Sequence, residues 1–221
     1  MWACLADPDV IRENLARVRS EVGDGVEILA ATKYVDADEL PALREAGVEL
    51  VGENRSDALI AKQERFGDLF TWDFIGHVQS RKVKDIVGRV RLIHAIDSVS
   101  ACRRMQDAVE GPVACLLQVN AAGEESKSGV ATGEVDAFLG EIQELDRVVF
   151  HGLMTMPPLA EKPDDARPWF ASLRDLRDRL APEWSGRHDF RHLSMGTSQD
   201  YRAAAAEGAT IVRVGSVLYG R

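Results

Sequence analysis

Apolar positions early in the chain recur first at helical spacing and then in alternation. After Asp7-Pro8, a pair suited to opening a helix, Val10, Ile11, Leu15, Val18 and Val22 fall on one helical face, and Gly23 supplies a stop. A first amphipathic helix is expected there. Beyond it, β-rich apolar runs occupy 28–32, 49–51, 71–75, 91–96, 113–119, 148–154, 192–195 and 210–214, while helical patterns fill 36–45, 55–65, 81–86, 98–109, 133–145, 164–180 and 199–207. Eight strand-like runs alternating with helices are the signature of parallel βα units. The expected fold class is α/β: a (β/α)8 TIM barrel with an extra N-terminal helix. An open doubly wound sheet is the rival, but it usually carries Gly-x-Gly-x-x-Gly after its first strand, and that motif does not occur. No linker or composition shift divides the chain, so residues 1–221 are expected to form one domain.

Composition narrows the function classes. A net charge of -9 argues against nucleic acid and against an acidic membrane surface as partners. The three cysteines, Cys4, Cys102 and Cys115, are widely spaced and suggest neither a disulfide framework nor a zinc site. With no signal peptide pattern and no apolar run of membrane-spanning length, a cytoplasmic protein is expected. Nothing in the pattern marks a large exposed apolar stripe.

In a barrel of this kind, reactive groups stand at the C-terminal ends of the strands. Lys33 ends the first strand, in Glu-Ile-Leu-Ala-Ala-Thr-Lys, with the small Ala31 two residues before it on the same face. A desolvated lysine there would be a nucleophile toward a carbonyl compound; a lysine that merely caps a surface strand is the plainer reading. Asn54 follows the second strand, His77 the third, Asp97 the fourth and Asn120 the fifth, and Met154 to Met156 close the sixth. The loops after the seventh and eighth strands place glycine beside hydroxyl residues: Ser194, Gly196, Thr197 and Ser198 in one, Gly215 and Ser216 in the other. Loops at that position commonly cradle phosphate, though each alone is also an ordinary turn. On Ile211-Val212-Arg213-Val214, alternation sends the valines toward the helices and Arg213 toward the barrel axis. A guanidinium there needs an acceptor, either an internal carboxylate such as Asp97 or a ring nitrogen of a cofactor. A Schiff-base lysine, a phosphate cradle and a cation for a ring nitrogen together describe pyridoxal 5'-phosphate (PLP).

Seven segments strengthen that reading: Ala-Ala-Thr-Lys (30–33), Gly-Glu-Asn (52–54), Trp-Asp-Phe-Ile-Gly-His-Val-Gln-Ser (72–80), Lys-Ser-Gly (127–129), Gly-Leu-Met (152–154), Leu-Ser-Met-Gly (193–196) and Val-Arg-Val-Gly-Ser (212–216). In this order, and across nearly the whole chain, they resemble the pyridoxal phosphate homeostasis protein family. The resemblance implies a barrel like the N-terminal domain of alanine racemase, with Lys33 as the aldimine lysine and Arg213 near the pyridine nitrogen. It further implies Ser194, Gly196, Gly215 and Ser216 around the phosphate, with Asn54 and Met195 lining the cofactor. Thr32 and Arg55 depart from the family, which often has serine and an aromatic residue there. The role implied is vitamin B6 and amino-acid homeostasis: PLP held as a reversible aldimine, buffered and supplied to PLP-dependent apo-enzymes, without robust catalysis. The alternative is an amino-acid racemase of the alanine racemase type. That chemistry needs acids or bases on both faces of the substrate, and the second base of those racemases comes from a further domain and a partner subunit, for which the sequence to Arg221 shows no candidate. Lys127-Ser128-Gly129 reads equally as a lid or a solvated loop. His94, His151, His188 and His192 lack metal-ligand spacing and read as surface or strand histidines.

Overall fold

A computed structural model describes residues 7–124 and 128–220; Cys4, Lys127 and Arg221 lie outside the described residues. The chain opens on α1 (Pro8–Val22), where the Asp7 side chain accepts the Asp9 N–H and Pro8 supplies a pre-set helical φ. Ile11, Leu15, Val18 and Val22 bury one stripe of this helix, each contributing about 1.5–3 kcal/mol on burial. The alternating part follows as β1 (Glu27–Ala31), α2 (Leu40–Glu45), β2 (Leu50–Glu53), α3 (Ser56–Phe66), β3 (Thr71–Phe74), α4 (Val83–Ile86), β4 (Leu92–Ile96), α5 (Val99–Ala108) and β5 (Val113–Asn120). It continues with β6 (Val130–Ala131), α6 (Val135–Glu141), β7 (Val148–Met154), α7 (Arg167–Glu183), β8 (His192–Ser194), α8 (Tyr201–Ala206), β9 (Ile211–Val214) and α9 (Ser216–Tyr219).

Parallel pairings run β1-β2-β3-β4-β5-β7-β8-β9 and return to β1, closing an eight-strand barrel as the alternation predicts. Register pairs Leu29 with Arg213 and Ala30 with Val214, which sets the strand of Lys33 beside the strand of Arg213. Two apolar clusters divide the strand residues by parity. Leu29, Leu50, Leu92, Leu116, Met154 and Ile211 fill the barrel interior, whereas Val212 and Val214 join the larger layer between strands and helices. Arg213 therefore points inward, as alternation predicts.

Two short elements carry no periodic signal. The two-residue β6 pairs with the end of β5 outside the ring, and α9 follows directly on β9. Helices expected over 133–145 and 199–207 are shorter, at Val135–Glu141 and Tyr201–Ala206. No helix among the described residues is long and apolar enough to cross a membrane.

Beneath α7, His188 is buried against Phe150, Trp184 and Phe190. Its Nδ1 accepts the Phe150 N–H at 3.2 Å, so the neutral ring carries its proton on Nε2, a buried atom without a hydrogen-bond partner. Burial pushes the imidazole down to about 4, with the Arg187 charge adding to the effect. The unfolded chain protonates this ring below its ordinary value near 6.5, while the folded chain keeps it neutral. Stability from this site is thus complete above about pH 6.5 and is lost as pH falls toward 4, a change on the order of 3 kcal/mol. Urea unfolding across that window should show a steeper acid loss for wild type than for His188→Gln; equal slopes would remove His188 from the acid response.

Candidate functional site

Lys33 stands just beyond β1 on a peptide braced from below. Glu53, at the end of β2, is fully buried, and Lys62 from α3 reaches in to pair with its carboxylate. Lys62 Nζ also donates to the Thr32 carbonyl at 2.8 Å. The buried Thr32 hydroxyl sits 3.0 Å from Glu53 Oε1, and the Asn54 N–H donates to Glu53 Oε2 at 3.1 Å. One ion pair therefore fixes both the approach to Lys33 and the first turn after β2. Gly76 tightens the same corner, because a Cβ there would lie 2.1 Å from the Asn54 carbonyl oxygen.

The Lys33 side chain is exposed, with Nζ 4.9 Å from the centroid of the Tyr34 ring. The chain alone leaves this amine in water, as the plainer surface reading has it. A long stem lets the ammonium keep its hydration, and the aromatic face gives it an electrostatic resting place. Asn54 is likewise exposed.

Arg213 has the opposite setting. It is 7% exposed, donates from Nη1 to Ser194 Oγ at 2.5 Å and from Nη2 to the Thr155 carbonyl at 2.9 Å. No carboxylate pairs with it among the described residues, and Asp97 does not take that place. Burial pulls the guanidinium down to about 10, eased by the more distant Asp200 charge, and it remains a cation at neutral pH. Asp97 instead lies 3.6 Å from His77 Nδ1; burial raises its carboxyl, partly countered by His77.

The two loops expected to form an anion cradle meet through Ser198. Its hydroxyl oxygen accepts the Gly215 N–H at 2.9 Å and the Val217 N–H at 3.3 Å, so two backbone donors converge on one oxygen. Asp200 takes the Thr197 N–H at 2.6 Å and hydroxyl at 2.9 Å, holding the neighbouring loop. Gly196 adopts φ +90, and a Cβ there would stand 2.6 Å from Ala204 Cβ, so only glycine lets α8 pack this closely behind the loop. A cavity of about 370 Å³ opens here, bordered by Gln118, Met156, Gly196, Thr197, Asp200 and Arg213. That volume suits a small cofactor. A larger depression of about 600 Å³ beside α1 is lined by Arg12, Arg19 and Gly47 and is remote from the strand ends that carry the chemistry.

The structure thus gathers Gly196 and Arg213 at one cavity, with Gly215 tied to the same loop and the exposed Ser216 beginning α9. Ser194 and Met195 are fully buried: Ser194 is committed to Arg213 and His94, and Met195 belongs to the outer apolar layer. The sequence reading gave no site role to Glu53, Lys62, Asp73 or His94, the last of them read as a surface or strand histidine. The last two carry a signal, being polar residues at inward positions of otherwise apolar strands.

An open amine and a buried cation, unpaired with any carboxylate among the described residues, stand on adjacent strands of a closed parallel α/β barrel. Comparison narrows that class. Residues 6–221 match the family described as "Alanine racemase, N-terminal domain". The pyridoxal phosphate homeostasis protein of Aquifex aeolicus is 37% identical over 95% of this chain and 94% of its own length. Among solved structures, PipY of Synechococcus elongatus PCC7942 without PLP superposes with a TM-score of 0.87 at 32% identity, covering 95% of this chain and 100% of its own. The same protein with PLP bound gives 0.85 at 31%, over the same shares of the two chains. The chain belongs to the pyridoxal phosphate homeostasis protein family, on the alanine racemase N-terminal barrel.

Removing the cation of the buried pair tests the brace beneath Lys33. Lys62→Met should cost about 3–5 kcal/mol in urea unfolding, because Glu53 is left as an unpaired buried charge. Adding Glu53→Gln should recover part of that loss. A cost under about 1 kcal/mol would mean that the pair braces nothing.

Proposed function

We propose that this chain binds PLP through a reversible Schiff base on Lys33 and serves intracellular PLP and amino-acid homeostasis as a carrier. The observation that carries the reading is Arg213: a buried guanidinium, paired with no carboxylate among the described residues, that lines a cofactor-sized cavity and has N–H groups beyond the two it donates to Ser194 and Thr155. Such a cation calls for an acceptor supplied from outside, and a pyridine nitrogen is one. Ser198 Oγ already takes the N–H groups of Gly215 and Val217, which leaves its own hydroxyl proton to donate to a phosphate oxygen beside Gly196; Ser216 and Asn54 are exposed and complete the expected set. That a relative of about one-third identity has been solved with PLP bound supports the assignment.

Lys33 would hold the aldehyde by condensation of its amine, with one water released and hydrolysis as the reverse, so that no oxidant or reductant would be consumed. When bound, the cofactor supplies an electron sink for carbanion chemistry. Arg213 weakens that sink, because protonating the ring nitrogen would bring two cations together. The exposed setting of Lys33 suits loading and release better than it suits excluding water, and PLP-dependent apo-enzymes are the natural recipients. The reading carries with it a cytoplasmic, monomeric protein.

Absorption spectra of the protein with added PLP, before and after borohydride, test this reading. Wild type should show a band that borohydride bleaches, with the reduced adduct mapped to Lys33, and Lys33→Ala should show neither. The absence of a reducible adduct in wild type would overturn the proposal. Sustained α-proton exchange of an amino acid in deuterated water at enzyme-like rates would replace carriage with racemisation.

A further inference from the structure

A line of polar side chains crosses the barrel interior and ends on Arg213. Glu27, at the start of β1, takes Arg91 Nη1 at 2.5 Å. Arg91 grips Asp73 with two hydrogen bonds, Nε to Oδ1 at 3.0 Å and Nη2 to Oδ2 at 2.7 Å. Asp73 Oδ2 also lies 3.0 Å from His94 Nε2, and His94 Nδ1 lies 2.9 Å from Ser194 Oγ. The chain of contacts closes on Arg213 Nη1. Asp73, His94 and Ser194 are fully buried.

Chemistry fixes the direction of every proton in this line. Arg213 only donates, so Ser194 Oγ accepts from it. The single Ser194 proton must then go to His94 Nδ1, which must be bare. His94 therefore carries its proton on Nε2 and donates it to Asp73, an acceptor when ionised. Burial lowers the imidazole, against the pull of Asp73, and so favours the neutral ring. Burial alone would raise the Asp73 carboxyl, but the hydrogen bonds from His94 and Arg91 overcome it and hold the group below its ordinary value. A protonated His94 would turn two donors onto Ser194 and leave the hydroxyl proton without an acceptor.

The same three residue types could suggest a hydrolytic triad, but Ser194 is 0% exposed and its oxygen is occupied by a guanidinium, so it has no route to a substrate. We propose that Asp73, His94 and Ser194 are positioning residues that hold Arg213 in one orientation, aiming its free N–H groups at the cavity and so setting the basicity of a pyridine nitrogen bound there. This inference rests on the PLP reading for its ligand. The internal polarity of the line stands without it.

Two measurements decide it. In the cofactor-free wild type, nitrogen-resolved NMR of His94 should report the neutral Nε2–H tautomer at neutral pH; an Nδ1–H tautomer or an imidazolium would overturn the relay. In protein whose PLP adduct has been fixed on Lys33 by borohydride, titration of the pyridine absorbance should give a ring-nitrogen pKa roughly one unit higher in Ser194→Ala than in wild type, with Ser194→Thr returning toward wild type. A ring pKa unchanged in a folded Ser194→Ala protein would overturn the proposal. Should that variant fail to fold, the His94 tautomer remains decisive. Failure of wild type to take the adduct would strike the PLP reading, and the tautomer would still judge the relay.

Discussion

Everything at the mouth of this barrel depends on the pairing of β1 with β9. That pairing joins the strand before Lys33 to the strand bearing Arg213, in a register that places Leu29 against Arg213. It brings two cations into one neighbourhood and treats them differently. Lys33 remains in water over an aromatic face, while Arg213 is withdrawn into the interior. The amine is exposed to solvent, and the guanidinium is desolvated and oriented.

Burying a cation without a counter-carboxylate is costly, and the barrel offsets the cost with dipoles. A carbonyl from Thr155 and a hydroxyl polarised through His94 toward Asp73 meet the Arg213 fork. The anion stays two residues away. A carboxylate in direct contact would have neutralised Arg213; at this remove Asp73 orients the cation and leaves its charge available at the cavity. The buried Glu53–Lys62 pair follows another rule, since both of its charges are satisfied internally and its effect on the site is to hold the Thr32 peptide still.

Local pattern made much of this legible. Alternation in 211–214 was enough to turn Arg213 inward, and the βα rhythm was enough to close the barrel. The α9 and β6 segments were not legible, because four and two residues are too few to show a period. Nor could periodicity say that Ser194 would face His94 across the interior, since that contact joins residues on separate strands that only the closed ring brings together. His94 was read as an ordinary strand histidine, and in position it is one. Its importance comes from partners that local spacing does not encode. A small neighbour left space for a desolvated Lys33 amine beside the plainer reading of a surface lysine, and space alone does not remove water from an exposed ammonium.

The closing pairing has a consequence for how the molecule is made. β1 finds β2 soon after synthesis, but its other edge stays open until β9 has emerged, and the last helix is then stitched back by Tyr219 Oη donating to the Ala31 carbonyl at 3.1 Å and Asn14 Nδ2 donating to the Leu218 carbonyl at 3.0 Å. Contacts of such long sequence separation form late and at high entropic cost. Until β9 docks, β1 therefore presents an unpaired strand edge, the kind of surface on which folding intermediates associate.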